Sequence, residues 1–277
     1  MPDASTAAST MQRLFGAARA LIGMLHVRAL PGAPRHALAL DEIAATAVAE
    51  AMVYRDSGFD ALMIENMHDL PYMKGAAPPE TVAAMTAIGR EVRREVPLPL
   101  GVQVLAGANR EALAVALACG ASFIRSEAFV FGHVADEGWL EASAGPLLRA
   151  RRAMGADEIA VFADIKKKHA AHAATADVSL VETAEAAAFN LADGVIVTGA
   201  ATGLEADAAD VRAVADAVAV PVLVGSGITP ANLERYGAAH GFIVGSSVKR
   251  DGLWSNPLDP ARTKALAAAF RAEAGAR

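Results

Sequence analysis

One unit recurs along the whole chain: a short apolar run rich in β-branched residues, a loop, and an amphipathic helical pattern. The apolar runs lie at residues 21–26, 61–66, 100–105, 123–127, 159–165, 194–199, 221–225 and 241–245. They are nearly continuous rather than alternating, which indicates strands buried on both faces, as in a parallel sheet covered by helices. Eight such units in 277 residues favour a closed (β/α)8 barrel, the TIM barrel, over an open sheet.

Helical patterns fill the intervals between the apolar runs, for example "PETVAAMTAIGREVRREV" and "LLRARRAMG". After the seventh run, "PANLERYGAAH" predicts another helix, with Thr229 at its cap and Pro230 in its first turn. No linker or shift in composition divides the chain. We therefore expect a single barrel over residues 19–277, preceded by a disordered or loosely packed N-terminal tail over residues 1–18.

Charge and hydropathy argue against several classes of protein. The formal net charge of −6 disfavours a nucleic acid polymer as partner, because such a partner requires a basic face. No uncharged stretch approaches the ~18–20 apolar residues that span a bilayer, and "MPDASTAAST" has no signal-peptide pattern. The single cysteine, Cys119, lies in an apolar helical pattern and is expected to be a buried hydrophobe. The sequence therefore predicts a soluble, cytoplasmic protein.

Two Gly/Ser turns follow the seventh and eighth runs, where barrels often bind phosphate. Glycine allows the backbone to approach an anion closely, and exposed N–H groups favour negative charge. We expect Lys249, just beyond the second turn, to add a positive charge. The alternative is that small residues only fit a crowded barrel rim. The predicted phosphate-binding residues are Gly225, Ser226, Gly227, Gly245, Ser246 and Ser247, with Gly199 from the loop after the sixth run.

Ionisable residues at the ends of the second and fifth runs predict acid–base chemistry. Glu65 ends an apolar run, where burial can tune a carboxyl group toward a neutral pKa. In "FADIKKKHA", Asp164 precedes three lysines and His169, an arrangement suited to proton transfer or to a polarised carbonyl. We predict Glu65, Asp164, Lys168 and His169 as catalytic, although which lysine of 166–168 faces the site stays open.

Polar residues at the remaining run ends are candidates for binding the substrate. Arg125 and Glu127 share one strand face and are expected to pair with each other. The long segment from Ala128 to Ala142 is a candidate lid, and Thr202 and Gly203 extend the loop after the sixth run. The predicted substrate-binding residues are His26, Arg28, Asn66, Asp69, Gln103, Arg125, Glu127 and Thr198.

Six ordered motifs resemble the BtpA/SgcQ family over about residues 20–255: "MLHVRALPGAPRH", "IENMHDLPY", "FIRSEAFVFG", "FADIKKKHA", "VTGAATG" and "VGSGITPANL". The resemblance implies a single (β/α)8 domain related to ribulose-phosphate-binding barrels. It also implies either a role in photosystem I biogenesis or an enzyme of sugar or nucleoside-type metabolism. The chain departs from the family pattern at Glu127, where asparagine is expected, and at Glu141-Ala142, where a Glu-Gly pair is expected. The added carboxylate of Glu127 changes the charge that a ligand must match.

Three hypotheses for function follow. The first is an enzyme acting on a phosphorylated sugar, phosphoribosyl or nucleoside-type compound by proton transfer, as an isomerase, lyase or aldolase, with glycosidic cleavage as a variant. The second is a non-catalytic assembly or biogenesis factor that uses the barrel as a binding scaffold. The third is a divalent metal site formed by His26, Glu65, Asp164 and His169, although no tight ligand spacing supports it. The alanine-rich helices would also allow a homo-oligomer.

Overall fold

A computed structural model describes residues 4–199 and 204–275. Within these ranges eight parallel strands close into a barrel, which confirms the predicted (β/α)8 fold. The order around the barrel is β1-β11-β10-β9-β7-β4-β3-β2. The barrel strands are β1 Ala20–His26, β2 Ala61–Glu65, β3 Leu100–Gln103, β4 Phe123–Ser126, β7 Ala160–Asp164, β9 Gly194–Val197, β10 Val222–Val224 and β11 Gly241–Val244.

Helices pack around the barrel, and their starts follow local sequence signals. Ser179 Oγ accepts the N–H of Glu182, and the Glu182 carboxylate accepts the N–H of Ser179, which caps one helix. The α-helices are α1 Ala4–Phe15, α2 Leu40–Ser57, α3 Pro79–Glu95, α4 Asn109–Cys119, α5 Ala144–Ala153, α6 Leu180–Phe189, α7 Ala208–Ala217 and α8 Pro260–Gly275. Short 3-10 helices lie at Ala173–Thr175, Leu233–Tyr236, Ser246–Val248 and Arg250–Gly252.

The prediction of a regular helix after β10 is wrong. Only a 3-10 helix forms there, at Leu233–Tyr236. Asn232 Oδ1 accepts the N–H of Thr229 at 2.9 Å, and Asn232 Nδ2 donates to the carbonyl of Gly227 at 2.8 Å. These two bonds hold Thr229 inside a tight turn, so it does not serve as a helix cap.

The segment predicted as a lid forms a small antiparallel sheet of its own. Strands β5 His133–Ala135 and β6 Gly138–Leu140 make a hairpin, and β5 also pairs with β8 Ala170–Ala171. The loop after β4 is thereby joined to the loop after β7, because β8 follows directly on the lysine-rich stretch. Its tip at Asp136 and Glu137 borders the mouth of the barrel.

The N-terminal segment differs from the expected loose tail. Residues 4–15 form α1, in which Met11, Leu14 and Phe15 are buried against the inward-facing side chains of the barrel. The Phe15 and Phe123 rings meet edge to face with centroids 5.4 Å apart. Met11, Leu14 and Phe15 lie on one side of the helix because their spacing follows the helical period. The prediction of loose packing is therefore wrong for Ala4–Phe15.

Glycines make room for aromatic rings inside the barrel. A Cβ atom at Gly101 would collide with the Phe123 ring, and one at Gly194 with the Phe162 ring. These rings, with Ile22 and other inward side chains, fill the interior from α1 upward. The layer above them, at the carboxyl ends of the strands, is left for polar side chains.

None of the described helices combines the length and the apolarity that crossing a bilayer requires.

The packing of α1 gives a prediction for stability. Met11→Ala removes a fully buried side chain, so we expect the free energy of unfolding to fall by about 2–5 kcal/mol. Urea unfolding followed by circular dichroism measures the change. Gln12→Ala, at an exposed position of the same helix, is the control. Equal stability of the two variants would show that α1 does not pack against the barrel in solution.

Candidate functional site

A cavity of about 590 Å³ opens at the carboxyl ends of the barrel strands, and we call it the mouth cavity. Its volume is in the range of small-molecule sites. Alternation along each strand turns the last inward residue into it. These residues are His26 of β1, Glu65 of β2, Gln103 of β3, Arg125 of β4 and Asp164 of β7.

Four of the buried charged groups in the mouth cavity form two ion pairs. Arg125 Nε lies 2.9 Å from Asp164 Oδ2, and both side chains are almost completely buried. Lys167 Nζ lies 3.0 Å from Glu127 Oε1, which also accepts a bond from Gln103 Nε2 at 3.4 Å. The predicted pairing of Arg125 with Glu127 is therefore wrong. Each pair compensates part of the cost of burying its charges.

The three consecutive lysines have different surroundings. Lys166 Nζ donates to the carbonyl of Thr175 and points away from the mouth cavity, whereas Lys167 and Lys168 both line it. Lys168 forms no salt bridge with any described carboxylate, and its backbone N–H donates to Thr198 Oγ1 at 3.3 Å. Burial, followed by the charge of Arg125, lowers the pKa of Lys168 to about 8. Lys168 is thus an amine that can lose a proton near neutral pH.

Glu65 and His26 form a second titratable pair. His26 Nδ1 lies 3.0 Å from the carbonyl of Trp254 and must donate to it, so Nε2 of the neutral ring is an acceptor, 3.8 Å from Glu65 Oε2. Burial, assisted by the charge of Lys249, lowers the pKa of His26 to about 3. Burial raises the pKa of Glu65, although Arg125 and Lys168 act in the opposite direction. The pair therefore consists of an uncharged imidazole and a carboxyl group that protonates more readily than an exposed glutamate.

Both Gly/Ser turns border the mouth cavity, through Gly225, Ser226 and Gly227 after β10 and through Gly245, Ser246 and Ser247 after β11. No acceptor among the described residues pairs with the backbone N–H groups of Gly227, Ser246 and Ser247. These N–H groups are the ones available to an anion.

The Ser226 hydroxyl has a different function from the expected one. It accepts the N–H of Gly199 at 2.8 Å and donates to the carbonyl of Leu204 at 3.0 Å. Ser226 therefore joins the loop after β9 to the turn after β10. The predicted availability of the Gly199 N–H and the Ser226 hydroxyl to phosphate is wrong, because each already has a partner. Thr202 and Gly203 lie outside the described residues.

Four other predicted residues do not line the mouth cavity. Asn66 Oδ1 accepts the N–H of Leu105, and its Nδ2 donates to Asp69. Asp69 in turn accepts the N–H of Leu30, so the two side chains tie together the loops after β1, β2 and β3. Thr198 contacts the backbone of Lys168, as described above, and Arg28 lines a separate pocket. Their polar groups hold the rim in place, and direct contact with a ligand in the mouth cavity is not supported.

Lys249 does not add its charge to the Gly/Ser turns, contrary to the prediction. It is fully buried and forms a salt bridge of 2.7 Å with Glu50 of α2. Arg262, in the first turn of α8, lies at that end of the mouth cavity instead, with Nη1 3.5 Å from the carbonyl of Ser247. Arg262 was not predicted from the sequence, because it stands 18 residues beyond the end of β11 in the chain.

Four further residues that were not predicted also line the mouth cavity. Tyr72 and Trp254 come from the loops after β2 and β11, and Asp136 and Glu137 from the tip of the β5–β6 hairpin. Neither aromatic residue follows a strand directly, so proximity to a strand end gave no signal for them. The predicted catalytic His169 lies at the exposed edge of the mouth cavity.

The proposed metal ligands are not gathered into one cluster. Among residues 4–199 and 204–275, no group of three or more His, Cys, Asp or Glu side chains is arranged to hold a metal ion. In the same ranges, His26 Nδ1 is engaged by Trp254 and Asp164 Oδ2 by Arg125.

Solved structures with this fold include several barrel enzymes. Orotidine 5′-monophosphate decarboxylase from Methanocaldococcus jannaschii superimposes with a TM-score of 0.59 at 13% identity, over 91% of this chain and 98% of that one. Thiamine phosphate pyrophosphorylase from Pyrococcus furiosus gives 0.57 at 16% identity, over 94% and 98%. At such low identity these similarities establish the fold alone.

Sequence comparison gives a narrower assignment. An uncharacterized protein of Caenorhabditis elegans, named as mitochondrial, is 48% identical over 91% of this chain and 93% of its own length. The photosystem I biogenesis protein BtpA of Synechocystis is 35% identical over 89% of this chain and 86% of its own length. The profile of the BtpA family matches residues 17–272. The chain therefore belongs to the BtpA family, as the six motifs predict.

Proposed function

We propose that this chain is an enzyme that acts on a phosphorylated sugar or phosphoribosyl-type small molecule by general acid–base chemistry, in the isomerase, lyase or aldolase class. The observation that carries the proposal is that one cavity holds two kinds of group. At one end it is bordered by backbone N–H groups of two Gly/Ser turns, for which the described part of the chain supplies no acceptor. Glu65 and Lys168, which have pKa values shifted toward neutrality, line the same cavity.

The phosphate would be held by the turns after β10 and β11. The N–H groups of Gly227, Ser246 and Ser247 supply donors without a side chain that must be ordered first. Arg262 supplies a positive charge at the same end. This is also the place where barrels of this class commonly hold phosphate. Anchoring by the phosphate would position the carbon skeleton over the buried charges, which lowers the entropic cost of reaction.

Proton transfer would be carried out by Glu65 and Lys168. The neutral Lys168 amine serves as base, and protonated Glu65 serves as acid. Asp164 is already bonded to Arg125, so this ion pair would stabilise charge that develops on the substrate rather than move a proton. His169, at the exposed edge, would contact the part of the substrate nearest to solvent. Lys168 is also suited to imine formation with a carbonyl substrate, because a pKa lowered to about 8 makes its neutral amine far more accessible near neutral pH than that of an exposed lysine.

A second candidate function is a non-catalytic role in assembly, in which the barrel serves as a binding scaffold. The observation that favours it is the name of the Synechocystis relative, a photosystem I biogenesis protein. The two candidates differ in whether the groups inside the mouth cavity are required.

Phosphate anchoring predicts selective stabilisation by phosphorylated ligands. Ribose 5-phosphate at about 100 times its Kd would stabilise the fold by about 2.7 kcal/mol, which corresponds to a rise in Tm of roughly 5–10 °C for a chain of this size. Ribose should give no shift. Thermal-shift measurements over a panel of sugar phosphates check this, and Arg262→Gln should reduce the shift whereas Arg212→Gln on exposed α7 should not. Equal shifts with ribose and its phosphate would contradict phosphate anchoring.

The lowered pKa of Lys168 predicts its reactivity without any substrate. Above its pKa the amine is neutral and nucleophilic, so acetylation by limiting acetic anhydride should rise with a midpoint near pH 8. A lysine in a model peptide has a pKa of about 10.4. Peptide mass spectrometry would follow Lys168 with exposed Lys264 as internal reference. Trapping by borohydride with substrate present then tests the imine route. A midpoint near 10.4 for Lys168 would exclude it as the base.

The two candidate functions are separated by near-isosteric variants in cells that lack the chain. Glu65→Gln with Lys168→Met removes the acid and the base but retains side-chain size, and it leaves the Arg125–Asp164 pair intact. An enzyme should lose at least about 10³-fold in kcat, and the double variant should fail to restore the cellular phenotype. Full restoration by a folded double variant would support the scaffold function instead.

A further inference from the structure

A second pocket adjoins the mouth cavity, and we call it the arginine pocket. It has a volume of about 220 Å³ and lies between the loops after β1, β2 and β11. Leu70 and Trp254 line both spaces, so they form the partition between them. The side chains that define the arginine pocket are those of Arg28, Arg35, Leu38, His68, Leu70 and Trp254.

The charge in the arginine pocket is all of one sign. Arg28 and Arg35 contribute two guanidinium groups, and no carboxylate lines the pocket. Arg28 Nη1 donates only to the carbonyl of Ser255, at 3.4 Å, and within the described ranges neither arginine forms a salt bridge. Arginine pairs well with phosphate and carboxylate because its donors are arranged as a fork. The chain as a whole has a formal net charge of −6, whereas this pocket is positively charged.

The remaining walls strengthen binding of an anion. His68 packs against Trp254 with ring centroids 4.9 Å apart. Burial, followed by the charge of Arg28, lowers the pKa of His68 to about 4, so at neutral pH it is an uncharged ring with one N–H donor. Leu38 and Leu70 add apolar surface to the walls, and Leu38 itself is 39% exposed.

The partition also connects the arginine pocket to the reacting groups. The carbonyl of Trp254 accepts the bond from His26 Nδ1, and His26 Nε2 faces Glu65. A ligand group that moved Trp254 would therefore change the position of His26 beside Glu65. A ligand that reaches across Trp254 would occupy both spaces at once.

We propose that the arginine pocket is a second anion subsite, which binds a phosphate or carboxylate group of the substrate while another phosphate lies at the Gly/Ser turns. The chemical class of substrate is then a compound with two anionic groups, such as a sugar bisphosphate. This assignment of the substrate rests on the proposed function, whereas the binding of an anion by Arg28 and Arg35 does not.

The chain contains two tryptophans, which allows a direct optical test. In a Trp139→Phe background, Trp254 is the only tryptophan and lies in the wall of the pocket. Titration with inorganic phosphate at low ionic strength should change its fluorescence in a saturable way, and calorimetry should give two phosphates per chain. The double variant Arg28→Gln/Arg35→Gln should bind one phosphate per chain instead of two, or bind the second phosphate with an affinity about tenfold or more lower.

Matched variants separate a local site from a general effect of charge. Arg90→Gln with Arg212→Gln removes the same two charges from exposed positions on α3 and α7. Arg262→Gln tests the other anion site. The proposal is overturned if the Arg28/Arg35 variant binds phosphate as the Arg90/Arg212 variant does. If only Arg262→Gln weakens phosphate binding, the proposal of an anion site in the arginine pocket is overturned. If only the Arg28/Arg35 variant weakens it, the proposal of a phosphate anchor at the Gly/Ser turns is overturned instead.

Sugar phosphates then show whether one ligand fills both subsites. If it does, fructose 1,6-bisphosphate should bind at least about tenfold more tightly than fructose 6-phosphate, because the second phosphate binds at high effective concentration. That advantage should disappear in the Arg28/Arg35 variant. Equal affinities, with inorganic phosphate and fructose 6-phosphate bound together, would overturn the bis-anionic substrate and assign the subsite to a separate anion.

Discussion

The alternation of side chains along eight closed strands determines where this molecule can bury charge. Inside the barrel the lower positions hold apolar side chains or glycines, and the last inward position is polar on five neighbouring strands. Polar groups at that depth are costly unless they are paired. The Arg125–Asp164 and Lys167–Glu127 ion pairs provide most of the compensation. The rest of the mouth cavity depends on this balance, because removing one partner would leave a buried charge alone.

The same burial explains why two groups remain available for chemistry. Desolvation disfavours every charged form, so it raises the pKa of a carboxyl group and lowers that of an amine. Arg125 and Asp164 compensate each other's burial, because each has the other at hydrogen-bond distance. Glu65 has no salt bridge with a described lysine or arginine and lies 3.8 Å from the neutral ring of His26, and Lys168 has no salt bridge with a described carboxylate. One physical cause thus shifts the two pKa values toward each other, which is the condition for proton exchange between acid and base near neutral pH.

The barrel was predictable because buried parallel strands are short, continuous apolar runs, and each barrel strand lies within a predicted run to within a residue. Positions at strand ends also predicted Glu65, Gln103, Arg125 and Asp164 as site residues, and these side chains line the mouth cavity. The position of a residue in the sequence could not predict its salt-bridge or hydrogen-bond partner. Asp164, on the adjacent strand, reaches Arg125, although Glu127 is nearer in the chain. Asn66 and Lys249 also follow barrel strands closely. However, Asn66 accepts the backbone N–H of Leu105, and Lys249 forms a salt bridge with Glu50.

Because α1 packs against the lower end of the barrel, the interior is open only at the end with the mouth cavity. Aromatic rings and the buried face of α1 fill the base, so a molecule that enters past the hairpin tip has to leave by the same route. In the proposed enzyme, the product and the incoming substrate would therefore compete for this route. Its rate of turnover would then depend on how quickly the product dissociates past the hairpin tip.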